Sequence, residues 1–276
     1  MTTNTSSGPD VISRSEICAL PNVRRVAAML DRNPDLLEVG SPLPRGWQFI
    51  LLGADTKRSD LREDGFPGLG VPMPNQGLSR IMLGGRSVEF LIDIPIGADV
   101  QRMSAIENIK KKSHPDGEIS IVDISHSLSV EGQLAIIEIQ TYLLFPGGRA
   151  RPRYSLNSAP APSGVVATFV PDETLLFQYS ALCFNSHKIH IDKVYAMEVE
   201  GFSGLVVNGG LITILMTEFI RENQQVVLNK IKTKHFAPLF SGNPINIVSH
   251  QISDGWRLDA FDQNGILAVH MEVNIK

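Results

Sequence analysis

The chain has 276 residues, of which 43% are apolar and 20% charged, and a formal net charge of −4. Those proportions are those of an ordinary globular protein and set aside disordered, collagen-like and disulfide-scaffold classes. The slightly acidic balance gives no electrostatic basis for a nucleic-acid or anionic-membrane partner.

Residues 1–10 are polar and rich in Ser and Thr, with neither the basic start nor the apolar core of a signal peptide. Four strand-like runs follow, at residues 87–93, 100–109, 119–130 and 133–144, the last two joined across the turn-like pair Glu131-Gly132. The β-branched content around Ile136 and Ile137 argues for strand over helix. A central helix for this half belongs before these strands, where Pro72, Pro74 and Gly77 break up the pattern. Residues 146–164 hold four prolines and three glycines with serines between, and read as an extended linker. Residues 1–145 and 165–276 are then two halves of similar size.

The second half begins with a strand-like run at 164–170 and a short apolar helix at 174–183. Residues 209–223 carry apolar side chains around most of the helical circumference, which marks a buried helix. Strands are expected at 226–232, 245–253, 256–261 and 266–273, with Asp254-Gly255 and Asn264-Gly265 as hairpin turns. A buried helix followed by an antiparallel meander is an α+β arrangement in which a sheet wraps one helix. The longest apolar stretch, 204–216, is too short to span a bilayer. Cys18 and Cys183 are the only cysteines, so no disulfide framework is expected and a reducing, cytoplasmic setting fits. Cys183 reads as a small core residue rather than a nucleophile. Lysines cluster at 110–112 and at Lys230, Lys232 and Lys234; they read as solvated strand ends, or as contacts for the phosphates of a carrier such as coenzyme A.

The chemistry concentrates in Tyr179-Ser-Ala-Leu-Cys-Phe-Asn185-Ser-His187-Lys-Ile-His190-Ile-Asp192 and in Gly204-Leu-Val-Val-Asn208-Gly209-Gly210-Leu211. On residue chemistry alone His190 is either an acid/base or a hydrogen-bonded core histidine. Asn185 either holds a water or caps the next turn. Gly209-Gly210 is either a backbone donor site or an ordinary helix start. His187 and His190 could form a metal pair, but no third ligand stands at a convincing spacing.

These segments resemble the MaoC-like hydratases, whose signature is a short helix, a carboxylate or amide, four residues, a histidine and, six places on, a small residue. Asn185, His190 and Ala196 occupy those places. The segment is similar above all to the branch of mesaconyl-CoA and itaconyl-CoA hydratases and type-2 hydroxyacyl-thioester dehydratases. Gly46-Trp47, Gly65-Phe-Pro and the run from Arg80 to Arg86 extend the likeness into the first half. The resemblance implies a double hot-dog fold and reversible hydration of an enoyl thioester, with a short branched or dicarboxylic acyl-CoA as substrate. It implies His190 as acid/base, Asn185 as holder of water, and the Gly209 N–H as donor to the thioester oxygen. His187, Asn208, Arg80 and Arg86 become candidate substrate contacts. The coenzyme A or carrier arm belongs to the substrate, and neither a cofactor nor a metal is implied. The motif's His-Gly-Pro is Asn208-Gly209-Gly210 here, and its Gly-His-Arg is Ser186-His187-Lys188. The first departure also motivates a non-catalytic thioester-binding protein, and a dehydratase acting on a carrier-bound intermediate is a third reading. Homo-oligomerisation stays open, since a double hot dog already contains the pairing that single hot dogs achieve by dimerising.

Overall fold

The computed structural model describes residues 11–73, 77–114, 117–147, 162–224 and 226–275. Most of the expected linker therefore lies outside the described residues. Ten strands form one sheet, every adjacent pair antiparallel. The first half holds β1 (Ile12–Ile17), helix α1 (Leu20–Met29), β2 (Arg80–Phe90), β3 (Asp99–His114), β4 (Gly117–Val130) and β5 (Gln133–Phe145). The second holds β6 (Val165–Phe169), α2 (Glu173–Leu182), α3 (Lys188–Ile191), α4 (Gly209–Gln224), β7 (Leu228–His235), β8 (Ile245–Ile252), β9 (Gly255–Phe261) and β10 (Leu267–Ile275).

The strand order is β1-β3-β4-β5-β2-β7-β10-β9-β8-β6. Read outward from the β2–β7 seam, each half repeats the same order, and α1 and α2 each follow the outermost strand of their half. This is the double hot dog. The α4 helix is buried almost all round, with Leu211, Ile212, Ile214, Met216 and Ile220 each 1% exposed or less. Among the described residues, the first half has only 3₁₀ turns at Pro34–Leu36, Trp47–Leu51 and Arg58–Asp60 where a matching helix would stand.

One apolar cluster nevertheless runs through both halves, from Val23, Phe49 and Val88 to Ile214, Ile231 and Met271. The Trp47–Leu51 turn supplies the link. Trp47 donates from Nε1 to Glu218 of α4 at 2.6 Å, and Arg221, one turn on, pairs with the same carboxylate at 2.5 Å. Gly46 makes this approach possible: its φ is +103°, and a Cβ there would stand 2.9 Å from the Thr217 methyl. The first half also buries polar groups on its concave face. Fully buried Glu138 accepts from Gln48 at 2.8 Å and Gln140 at 2.6 Å and pairs with Arg86 Nε at 3.1 Å.

Removing one partner from the Trp47–Glu218–Arg221 contact leaves a largely buried cation behind, which costs more than the contact contributes. Glu218→Ala is expected to lower unfolding free energy by roughly 2–4 kcal/mol in urea denaturation. A change below about 0.5 kcal/mol would show that the two halves are not coupled here.

Candidate active site

The site begins where α2 ends. Its last turn closes with Asn185 N–H donating to the Ser180 carbonyl at 2.8 Å and Phe184 N–H to Ala181 at 3.3 Å, a Schellman pairing. Phe184 takes the left-handed position with φ +52°, where glycine is usual, and that turn aims Asn185 away from the helix. The Asn185 Oδ1 then accepts from His187 N–H at 3.1 Å. So the capping role read from sequence is made, and the amide oxygen keeps one further lone pair.

His187 precedes the single turn of α3 and His190 lies within it, both buried, with ring centroids 5.6 Å apart and planes at 87°. His190 Nδ1 lies 2.7 Å from the Val206 carbonyl oxygen. A carbonyl only accepts, so Nδ1 carries the hydrogen and Nε2 presents a lone pair. Burial pushes His190 down to about 3, helped by neighbouring His187, and the Val206 bond opposes this only in part. The ring is neutral throughout the physiological range. His187 is also lowered by burial, against the pull of Asp64, whose Oδ2 is 3.6 Å from its Nε2.

Asp64 is buried, paired with Arg62, and anchors this loop from the first half; its carbonyl accepts from Lys188 N–H at 2.8 Å. Next to it, Gly65 at φ +77° lies so close to the Ser186 carbonyl that a Cβ would stand 2.4 Å from it. The Gly46-Trp47 and Gly65-Phe-Pro motifs are thus the places where the first half touches the second half's helix and site loop.

The chain returns along residues 204–208 to the start of α4. Asn208 is 2% exposed; its Nδ2 donates to Ser180 Oγ at 3.2 Å, while its Oδ1 has no partner. The amide oxygen that would ordinarily cap α4 does not do so, which leaves the helix's first N–H groups, at Gly209 and Gly210, available. Val206 ties His190 to the approach to α4, and Asn208 ties the start of α4 to Ser180 of α2. Of the candidate arginines, Arg86 lies beside Gly210 and is held by Glu138. Arg80 pairs with Glu200 at 2.8 Å and lies over the Phe202 ring at 5.8 Å; Glu200 in turn acts on His187, and Phe202 packs with Ile189 and Val206. Asp192 caps the next turn by accepting from Tyr195 N–H.

Burial raises the Cys183 thiol to about 12, so it is no thiolate at neutral pH. Among the described residues no group of three or more His, Cys, Asp or Glu is placed as metal ligands, and no helix is long and apolar enough to cross a membrane. Two surface hollows, of about 620 and 290 Å³, lie at the β8–β9 turn and beside the carboxyl-terminal half of α4; neither is lined by the site residues. Four groups near this chemistry carry no recognisable signal in the sequence: Asp64, Tyr179, Glu138 and His235. Only Tyr179 lies inside the motif stretch, where it reads as one more apolar position of α2.

The buried histidines His126 (about 4), His187 (lowered) and His190 (about 3), and the half-buried His235 (about 3), are all depressed chiefly by desolvation. Below an unfolded value of about 6.5 the unfolded chain binds protons that the folded one does not, so stability falls with falling pH. Each group contributes a slope of up to about 1.4 kcal/mol per pH unit until its folded value is reached. Urea midpoints should therefore drop steeply from pH 6.5 toward 4, and His126→Gln should flatten the slope. A flat profile over that window would contradict the burial of these rings.

The chain is 30% identical over 261 residues to the mesaconyl-C(4)-CoA hydratase of Chloroflexus aurantiacus, covering 94% of this chain and 93% of that protein. It is 26% identical over 251 residues to the mitochondrial hydroxyacyl-thioester dehydratase type 2 of Schizosaccharomyces pombe, covering 79% and 81%. The crystal structure of a MaoC-like dehydratase from Phytophthora capsici superposes with a TM-score of 0.69 at 15% identity, over 98% of this chain and 96% of that one, and shares the fold. Residues 46–241 match the family of type 2 hydroxyacyl-thioester dehydratases, and the chain belongs to that family.

Proposed function

We propose that the protein reversibly hydrates an enoyl thioester, most simply a short branched or dicarboxylic acyl-CoA. The observation that carries this reading is a neutral, buried His190 whose Nδ1–H is fixed on Val206 and whose Nε2 is left as a base, next to a helix start that no side chain caps. The named relatives, a hydratase and a dehydratase of acyl thioesters, support it.

In the hydration direction Asn185 Oδ1, with its remaining lone pair, holds a water near the β-carbon. His190 Nε2 takes a proton from that water as its oxygen bonds to the β-carbon. The π electrons move to the α-carbon and thioester oxygen, where the Gly209 N–H and the positive end of α4 stabilise the developing charge. The imidazolium then returns the proton to the α-carbon. An enolate beside the ring favours the protonated state that burial alone disfavours, so proton transfer follows the charge as it develops. Asn185 cannot share this work, because an amide does not take up protons at these pH values.

His190→Ala is expected to lower kcat/KM by about 10²–10⁴-fold in protein that remains folded, across a panel of mesaconyl-, itaconyl-, crotonyl- and 3-hydroxyacyl-CoA. Wild-type kcat/KM should show no acidic limb from His190 between about pH 5 and 8, because the ring is already neutral there. No turnover on any of the panel, or an unchanged rate in the alanine variant, would sink this reading.

A further inference from the structure

The start of α4 has polar neighbours that the hydration steps do not use. Gly210 lacks the Cβ that would stand 1.9 Å from the Tyr179 hydroxyl and 3.5 Å from Arg86 Nη2. A Cβ on Gly209 would stand 3.2 Å from Cε1 and 3.5 Å from Nε2 of His235. Side chains from α2, β2 and β7 therefore converge on two consecutive glycines whose N–H groups lack intrahelical acceptors. Tyr179 is 4% exposed and Arg86 9%, and the His235 Nε2 is sealed from solvent without a partner. The Arg86 Nε is likewise sealed without a hydrogen-bond partner, its 3.1 Å approach to Glu138 being an ion pair, while the Arg86 Nη2 and the Tyr179 hydroxyl both face Gly210.

Leaving buried polar groups unsatisfied costs about 1–3 kcal/mol each, and two such nitrogens beside a guanidinium end and a phenol favour an acceptor that arrives from outside. Glu138, itself fixed by Gln48 and Gln140, neutralises the Nε side of the guanidinium and locks its plane. The Nη end, the phenol and the first turn of α4 all present positive polarity, and burial keeps the phenol protonated. A planar anion with two oxygens matches a guanidinium fork. A tetrahedral dianion would bring a second full charge up to Glu138, so a carboxylate fits better.

We propose that Arg86, Tyr179 and His235, with the first turn of α4, form a carboxylate-recognition subsite that selects acyl thioesters bearing a second carboxylate close to the reacting carbons. The proposal rests on the hydration reading for its distance scale. With the thioester oxygen at the Gly209 N–H, the Gly210 position is one residue on, about 3.8 Å away. That is the span of two or three bonds, so the second carboxylate hangs on the α- or β-carbon or on a branch there. Gly210 and Tyr179 belong together in this arrangement: any side chain at 210, including the proline of the motif the segment resembles, would collide with the hydroxyl.

Calorimetry with two saturated thioesters that cannot be hydrated, succinyl-CoA and butyryl-CoA, tests the subsite without turnover. The wild-type protein should bind succinyl-CoA about tenfold or more tightly than butyryl-CoA. Tyr179→Phe removes one oxygen and keeps the 4.9 Å ring stack on Phe49; it should cut that preference about three- to tenfold. A paired Arg86→Gln, Glu138→Gln variant, which leaves no buried charge alone, should abolish the preference. Dissociation constants within about twofold of each other in the wild type, or a preference untouched by Tyr179→Phe, would overturn the proposal. Hydration of crotonyl-CoA, assayed on the same preparations, addresses the functional reading separately: its absence counts against that reading, while the binding preference still decides the subsite.

Discussion

Among the described residues, the ten-stranded sheet has one full-length helix, α4, to wrap. The 16 residues of α4 run about 24 Å, enough to fill the concavity of one half. The other half has the same strand order and, among the described residues, no such helix, so its concave face is covered by other means. Trp47, Phe49 and Leu51 supply apolar cover from a short 3₁₀ turn, and the remaining area is lined by Arg86, Arg102, Ser104, His126, Glu138 and Gln140, all buried. A polar lining of this kind survives only if its charges are answered internally. Glu138, with no exposed surface, is answered by two amides and a guanidinium, and the register of β2 against β5 brings Arg86 alongside it.

The same shortage of helix explains how the site is assembled. Because the first half cannot fill itself, its connection between α1 and β2 folds across the second half, pressing Gly46 onto Thr217 and Gly65 onto Ser186. The loop that carries Asn185, His187 and His190 is thereby clamped between Asp64 on one side and Val206 on the other. Clamping excludes water, and the exclusion of water is what holds His190 neutral. Packing in one half thus sets protonation in the other.

Much of this was legible from residue order. Turn chemistry located the β4–β5 hairpin: Glu131 and Gly132 both take positive φ, the signature of a type I′ turn. All-round apolar character located α4 to within a residue. Other elements were hidden for physical reasons. The expected start of β2 at 87 falls seven residues late, because Gly84-Gly85 form a bulge that interrupts the alternation. The β1 strand, Ile-Ser-Arg-Ser-Glu-Ile, is an edge with polar faces and has no strand pattern to read. The lysines at 110–112 continue β3 because β4 pairs with them through Lys112↔Ile119, a partner invisible from their own composition. At the site, the histidines and glycines announced themselves by spacing, whereas Asp64, Glu138 and His235 arrive through strand register and loop crossing. Long-range pairing of that sort leaves no local trace.

The seam between β2 and β7 joins the halves through five residue pairs, from Gly85↔Lys234 to Glu89↔Lys230. Arg86 and His235 stand on opposite sides of it, so what the interior displays depends on how the two strands are aligned. Side chains alternate faces along a strand, and a slip of one position would either turn Arg86 outward or send Lys234 in toward α4. Nothing in the backbone ladder itself forbids such a slip; the bulge at Gly84-Gly85, wedged against the Thr233 carbonyl, acts as the detent that fixes the alignment. Correct joining of the halves is therefore a matter of phase as much as of contact. A molecule out of phase could keep its sheet and its hydrogen bonds, but turning β2 over would carry Val88 and Phe90 out of the core along with Arg86 and leave it blind.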